Sequence, residues 1–124
     1  MTAIREVMTE KLITVEPSTS VAAAVTVMGM QGVGAVLVME KGRVEGIFTE
    51  RDLVRAMSHD IGASSQPVAQ WMTRNPVTVG PEVPVEEALE IMLNGHFRHL
   101  PVMKGERLVG VVSIRDLSRA ALHE

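Results

Sequence analysis

The chain has 124 residues, 46% hydrophobic and 22% charged, a balance typical of a globular domain and unlike that of a disordered segment. Its net charge of −3 argues against nucleic acid as the main partner, because nucleic-acid-binding surfaces usually carry a basic surplus. The lack of cysteine excludes disulfides, thiolate metal sites and cysteine nucleophiles. No apolar run is long enough to span a membrane, and the polar N-terminus is unlike a signal peptide. We therefore expect a cytoplasmic protein without membrane contacts.

The sequence is an internal duplication. A shift of 64 positions, the separation of Met8 from Met72, aligns the first half with the second without a gap. So many matches in one register indicate two copies of one structural unit. We place repeat 1 at 1–57, a linker rich in Ser and Gly at 58–66, and repeat 2 at 67–124.

Each copy passes through the same order of predicted elements: strand, helix, strand, strand, helix. In repeat 1 these elements cover 12–15, 21–28, 35–39, 44–48 and 50–58. In repeat 2 they cover 77–79, 85–92, 99–103, 108–112 and 114–123. The first helix follows from apolar residues at helical spacing, with Ser18 or Ser20 as its N-cap. In the second copy, Glu86 and Glu87 fall in the first helical turn, where the helix dipole favours negative charge.

The fold predicted from these elements is α+β, with two β-α-β-β-α repeats. A unit of this size buries too little surface alone, so we expect the two copies to pack sheet against sheet in pseudo-twofold symmetry. That packing would create two clefts at the seam, and seams between structural units are favoured ligand sites.

Each repeat contains the pattern G-x-x-[ST]-x-x-D where its last strand meets its last helix. The residues are Gly46, Thr49 and Asp52 in repeat 1, and Gly110, Ser113 and Asp116 in repeat 2. The hydroxyl residue and the Asp lie one turn apart on one helix face, where the carboxylate can accept hydrogen bonds from the two vicinal hydroxyls of a ribose. The glycine leaves room for a ligand to approach. The same spacing is also an ordinary capping box that needs no ligand, but its recurrence in register favours binding.

The chain resembles the CBS-domain family over about Val7 to Ala121, and specifically the tandem pair called a Bateman module in small stand-alone bacterial members. The marks of the resemblance are Met8-Thr9 and Met72-Thr73, Thr14-Val15-Glu16-Pro17 and Thr78-Val79-Gly80-Pro81, Arg98-His99-Leu100-Pro101-Val102, and the run from Gly46 to Leu53.

The resemblance implies regulatory binding of an adenosine compound: AMP, ADP, ATP, NAD(H) or S-adenosylmethionine. It assigns the ribose to Asp52 and Asp116, with Thr49 and Ser113 nearby. It also assigns the adenine to backbone near Ile13 and Val77, and the phosphate to Arg98 and His99. Where repeat 2 has Arg98-His99, repeat 1 has Gly34-Ala35, so we expect two non-equivalent sites.

Several other residues have two interpretations. Arg51 and Arg115 follow the hydroxyl residue by two positions and either supply charge to a cleft or lie on a solvated helix face. Trp71 either packs under the sheet or offers a stacking surface to a ligand. The spacing of His96 and His99 fits a metal site, but no Cys or clustered carboxylate joins them, so we expect neither a metal nor a cofactor.

Nothing in the sequence favours catalysis, so we expect a binding module and not an enzyme. The resemblance implies a homodimer formed through helices, with a regulated protein as a partner in trans. The alternative is a dimeric scaffold for protein interactions whose clefts stay empty.

Overall fold

The structure is a computed structural model and describes residues 1–123. These residues form an α+β fold, as predicted. Its helices and strands are, in chain order, β1 (Thr14–Val15), α1 (Val21–Gln31), β2 (Ala35–Glu40), β3 (Arg43–Thr49), α2 (Glu50–His59), β4 (Thr73–Arg74), α3 (Val85–Gly95), β5 (His99–Lys104), β6 (Arg107–Ser113) and α4 (Ile114–Leu122).

The chain divides into two compact units. The first-repeat unit is Ile13–Pro76, and the second-repeat unit combines Met1–Leu12 with the chain from Val77 onward. In the first-repeat unit the strands lie in the order β1-β2-β3-β4; β1 runs parallel to β2, and the other neighbours are antiparallel. Helix α1 buries Val21, Ala24 and Met28 in a core with residues of β2 and β3.

The second-repeat unit contains the antiparallel hairpin of β5 and β6. Helix α3 buries Val85, Ala88 and Met92 in its core, at the positions that match the buried face of α1. The two hairpins also share an irregularity, because the register shifts after Val38 in one and after Val102 in the other. The duplication is therefore visible in the backbone as well as in the sequence.

The first segment of each repeat packs in the unit that holds the rest of the other repeat. We call Met1–Leu12 and Pro67–Pro76 the lead-in segments. In the first, Ile4 is fully buried in the second-repeat core, and its N–H donates to the carbonyl of Val83 at 2.9 Å. In the second, the N–H of Val68 donates to the carbonyl of Thr19 at 2.7 Å. The compact units thus divide the chain differently from the repeat boundaries given above.

The predicted helices and hairpins are confirmed, but the first strand is shorter than predicted in repeat 1 and absent in repeat 2. Strand β1 covers two residues instead of 12–15, and no strand forms at 77–79, where Val79 makes an isolated bridge to Val102. The difference between the copies has a chemical cause. In repeat 1 the N–H of Leu37 donates to the carbonyl of Ile13, whereas the matching residue in repeat 2 is Pro101, which has no N–H.

The stretch predicted as a linker is folded. Helix α2 continues to His59, and a 3-10 helix follows at Ile61–Ser65 with Ala63 fully buried. The Asp60 carboxylate accepts from the N–H of Gly62 at 2.8 Å and from the amide of Gln66 at 2.7 Å. For α1, Ser20 is the N-cap, because its hydroxyl accepts from the N–H of Ala23.

Candidate functional site

The end of the hairpin that precedes α4 collects four of the predicted site residues. His99 pairs with Ser113 across β5 and β6. The carbonyl of Arg98 accepts from the N–H of Ile114 at 2.8 Å, which ties the start of β5 to the first turn of α4. Since Asp116 lies in that turn, the predicted phosphate and ribose residues of repeat 2 are neighbours in one unit.

The matching end of the β2–β3 hairpin in repeat 1 has Gly34 and Ala35 in place of Arg98 and His99. Ala35 pairs with Thr49, and the carbonyl of Gly34 accepts from the N–H of Glu50 at 3.1 Å. The backbone of the two hairpin ends is therefore alike, and the difference lies in the side chains. This asymmetry supports the expectation that the two sites are not equivalent.

Asp52 forms a capping box with Thr49 at the start of α2. Its Oδ2 accepts from the backbone N–H of Thr49 at 2.9 Å and from the Thr49 hydroxyl at 3.1 Å. Two further groups approach Oδ1: the Thr73 hydroxyl at 3.1 Å and Nη2 of Arg55 at 3.5 Å. Asp52 is only 4% exposed, and a carboxylate at such depth needs donors of this kind to offset its lost hydration.

Asp116 forms the matching capping box at the start of α4. The N–H of Ser113 donates to its Oδ2 at 3.2 Å, and the N–H of Asp116 donates to the Ser113 hydroxyl at 3.1 Å. Unlike Asp52, it is only partly buried. Both motifs therefore cap their helices, and the second leaves its carboxylate more accessible to solvent.

Thr73 and Arg55 are not among the residues predicted above, although both contact the Asp52 carboxylate. Thr73 belongs to the second lead-in segment and reaches Asp52 because β4 pairs with β3. A signal for it existed, since Met72-Thr73 is one of the pairs that recur between the copies. Its contact with Asp52 could not be read from the sequence, because 21 residues separate the two.

Trp71 is partly buried and packs against the core of the first-repeat unit. The Arg55 guanidinium lies 5.6 Å from the centroid of its ring and donates to its backbone carbonyl at 2.6 Å. The indole N–H donates to Gln66 at 2.7 Å. These contacts give Trp71 a place in the packing of the unit, whereas ligand stacking on it stays a prediction.

Gly46 and Gly110 lie where another segment of their own unit crosses. A Cβ on Gly46 would sit 2.6 Å from the carbonyl oxygen of Thr73, and one on Gly110 would sit 2.7 Å from the sulfur of Met8. Packing against the lead-in segments thus explains both glycines. The room for a ligand predicted at these positions stays a prediction.

The remaining predicted residues are distributed over both units. Ile13, whose carbonyl is bonded to Leu37, lies with Arg51 in the first-repeat unit. Val77 and Arg115 lie in the second-repeat unit. Both arginines are exposed in the first turns of their helices, and Val77 is 43% exposed.

The second-repeat unit also has an open groove of about 600 Å³, at the hairpin turn and away from the capping box. It is lined by Gly80, Pro81, Glu82, Val83, Pro84, Glu87, Met103, Lys104 and Gly105. None of the predicted site residues lines this groove.

Residues 1–123 hold neither a cluster of metal-ligating side chains nor a membrane-spanning helix. No group of three or more His, Asp or Glu residues in this part of the chain is arranged to hold a metal ion. His96 ends α3 in a left-handed conformation, and His99 lies in β5. Within the same described range, no helix has the length and apolar character needed to cross a membrane.

Comparison with known proteins identifies both halves of the chain. The CBS domain model matches residues 4–59 and again 68–123. An uncharacterized 17.7 kDa protein of Acidianus ambivalens is 42% identical, over 98% of this chain and 74% of the relative. CBS domain-containing protein YhcV of Bacillus subtilis is 30% identical, over 95% of this chain and 84% of the relative.

Solved structures agree with these matches. The CBS-domain containing protein ATU1752 from Agrobacterium tumefaciens superposes with a TM-score of 0.92 at 37% identity, covering 97% of this chain and 99% of that one. CBSX2, solved in complex with AMP, gives a TM-score of 0.83 at 27% identity, covering 98% and 96%. The chain therefore belongs to the CBS-domain family, as a tandem pair of CBS domains.

Proposed function

We propose that this protein is a regulatory module that binds an adenosine-containing nucleotide and has no catalytic activity. The ligand is AMP, ADP, ATP, NAD(H) or S-adenosylmethionine. The same proposal includes a cytoplasmic homodimer that acts on a separate protein in trans.

The observation that carries the proposal is the second capping box together with the residues beside it. Ser113 and Asp116 lie next to Arg98 and His99 through the β5–β6 pairing and the bond from Ile114 to Arg98. A ribose presents two vicinal hydroxyls that can donate hydrogen bonds to a carboxylate, and a phosphate is recognised by charge-assisted hydrogen bonds from Arg. One short stretch of surface thus offers groups suited to both parts of a nucleotide. The AMP complex of CBSX2, a relative of the same fold, supports this choice of ligand class.

Of the two closing carboxylates, Asp116 is the better candidate for the ribose. Asp52 is 4% exposed and already holds the Thr73 hydroxyl on Oδ1, so a ligand there would have to displace a protein donor. Asp116 is more exposed and has Arg98 in its own unit. We therefore propose that the site of Asp116 is the tighter of two unequal sites.

Calorimetric titration of the purified protein with AMP, ATP, NADH and S-adenosylmethionine tests the proposal, with GMP as a control for the base. We expect saturable binding of at least one adenosine compound and weaker binding of GMP. Asp116→Asn, which keeps the size of the side chain, should weaken that binding more than Asp52→Asn. Binding left unchanged by both variants would contradict the ribose assignment.

The same titrations address the alternative function. A ligand can signal only if it binds the protein and has a higher affinity for one conformation than for another. If none of these compounds binds, the protein is better explained as a dimeric scaffold with empty clefts. Turnover of any of the nucleotides during the titration would contradict the absence of catalysis.

A further inference from the structure

Four groups of the first-repeat unit surround the carboxylate of Asp52. Its Oδ2 accepts from the backbone N–H and from the hydroxyl of Thr49, at 2.9 and 3.1 Å. Its Oδ1 accepts from the hydroxyl of Thr73 at 3.1 Å, and Nη2 of Arg55 lies 3.5 Å from the same oxygen. A carboxylate has about four acceptor positions, so the unit itself supplies a group for each of them. A ligand hydroxyl can bond to Asp52 only in place of one of these groups.

Of the four groups, the Thr73 hydroxyl is the one best placed to leave. The two groups of Thr49 belong to the capping box of α2, so their loss would disturb the start of a helix. Thr73 is exposed and lies in β4, a strand of two residues. This strand pairs with β3 only through Gly46 and Ile47. A short, exposed segment opens at a lower free-energy cost than a helix in the core.

Arg55 provides a second connection between the same segment and Asp52. Its Nη2, the atom close to Oδ1, also donates to the backbone carbonyl of Trp71 at 2.6 Å. The guanidinium lies 5.6 Å from the centroid of the indole ring, a distance that allows a cation–π contact. The second lead-in segment therefore reaches Oδ1 of Asp52 directly through Thr73 and indirectly through Trp71.

The second-repeat unit contains the matching residues but not the matching contacts. Thr9 matches Thr73, and Arg119 matches Arg55. Within residues 1–123, neither of them is bonded to the carboxylate of Asp116. The residue that matches Trp71 is Val7, which offers no ring on which an arginine can lie. The closed arrangement around the carboxylate is thus a property of the first repeat.

We infer that the second lead-in segment competes with the ligand for Asp52. The Thr73 hydroxyl holds the acceptor oxygen that a ribose hydroxyl needs, so a bound ligand and a docked β4 exclude each other at Oδ1. Ligand binding at the first repeat therefore releases residues 71–74, and this release is the conformational response to the ligand. The inference rests on the proposed binding of an adenosine compound and adds how one of the two sites is controlled.

This competition has a consequence that a purely supporting bond does not have. Two events that exclude each other weaken each other by the same factor. Removal of the Thr73 hydroxyl should therefore destabilise the folded unit and, at the same time, strengthen ligand binding at Asp52. If the bond only held the site in shape, its removal would weaken binding instead.

Calorimetric titration with adenosine measures the competition. All of the proposed ligands share its base and ribose, and it carries no phosphate that would favour the Arg98 site. Every variant also carries Asp116→Asn, which weakens the second site. In this background Thr73→Val should lower the dissociation constant of adenosine about tenfold. Thr73→Ser, which keeps the hydroxyl, and Thr9→Val, the matched change in the first lead-in segment, should leave it within about threefold.

Trp71 provides a second readout, because it is the only tryptophan of the chain. Release of the segment should expose the indole, so adenosine should increase the quenching of its fluorescence by acrylamide. Arg55→Gln removes the second connection and leaves Thr73 in place, which keeps the test informative if Thr73→Val does not fold. This variant should increase quenching without ligand and lower the adenosine dissociation constant. Arg119→Gln, the matched change in α4, should alter neither quantity.

Unchanged or weaker adenosine binding in both Thr73→Val and Arg55→Gln would overturn the inference. Equal gains in Thr73→Val and Thr73→Ser would also overturn it, because the second variant keeps the competing hydroxyl. If the wild type binds an adenosine compound and the variants show no gain, the proposed function stands and only the competition is wrong. If neither the wild type nor any variant binds, the proposed function fails and this inference fails with it.

Discussion

The hydroxyl of Thr73 donates a hydrogen bond of 3.1 Å to Oδ1 of Asp52. It joins the second lead-in segment to the motif that closes repeat 1. Asp52 is thereby a junction within the first-repeat unit as well as the cap of α2. Its carboxylate contributes to folding before any ligand is considered, which is why conservative substitutions are needed to test its role in binding.

Removing the Thr73 hydroxyl should destabilise the protein. Thr73→Val keeps the shape of the side chain but deletes a donor to a nearly buried carboxylate, which we expect to cost about 1–2 kcal/mol. Urea unfolding at a fixed protein concentration measures the change. Thr14→Val, at an exposed position of β1, is the matched control and should change stability by less than about 0.5 kcal/mol. If both variants change the free energy of unfolding equally, the Thr73–Asp52 hydrogen bond does not stabilise the fold as proposed.

Adding a methyl group at Gly46 should also destabilise the first-repeat unit. A Cβ there would lie 2.6 Å from the carbonyl oxygen of Thr73, so the lead-in segment would have to move. We expect Gly46→Ala to cost about 1–3 kcal/mol, as overpacked positions do. Gly80→Ala is the comparison, because its Cβ would meet its nearest atom at 3.9 Å. If thermal unfolding shows both variants equally stable, the close crossing of the lead-in segment is wrong.

The placement of the first lead-in segment predicts a long-range effect of Ile4. This residue lies near the start of repeat 1 in sequence but is fully buried in the second-repeat core. Ile4→Ala should cost about 2–4 kcal/mol, and hydrogen exchange should show the loss of protection first in β5, β6 and α3. Leu122→Ala, which removes a side chain that is 85% exposed, should have little effect. Loss of protection confined to the first-repeat unit would contradict the packing of the first lead-in segment in the second-repeat unit.

The phosphate assignment predicts a difference between AMP and adenosine. Arg98→Ala should raise the dissociation constant of AMP about tenfold, equivalent to 1.4 kcal/mol, and leave that of adenosine unchanged. The difference should shrink at high salt, because added ions screen an exposed charge. Arg107→Ala, at the far end of the same hairpin, is the control. An equal loss of AMP and adenosine affinity would assign Arg98 to packing and not to phosphate.

The elements predicted from the sequence were those with local patterns. Helices α1 and α3 follow from apolar residues at helical spacing, and the hairpins follow from buried runs around a turn. The duplication strengthened each prediction, because the same pattern occurs twice in one register. The Ser20 cap and the two capping boxes likewise depend on residues only a few positions apart.

What the sequence did not reveal depends on pairing between distant segments. Nothing local in 1–12 shows that Ile4 packs in the core of the other repeat, and nothing near Thr73 points to Asp52. The strand missing at 77–79 is a subtler case. Its own residues favour a strand, but in repeat 1 the first strand is held by a hydrogen bond from the N–H of Leu37. The residue that matches Leu37 in β5 is Pro101, which has no N–H to donate. The need for glycine at position 46 also comes from a distant segment, because the carbonyl oxygen that a Cβ there would meet belongs to Thr73 in β4.

The most direct test of the central claim compares AMP with 2′-deoxyadenosine 5′-monophosphate in the wild type and in Asp116→Asn. The two ligands differ only in the ribose hydroxyl at the 2′ position. If the Asp116 carboxylate accepts from the sugar, the wild type should prefer AMP by about tenfold, and the variant should bind both equally. An unchanged preference in the variant would contradict the assignment of Asp116 to the ribose.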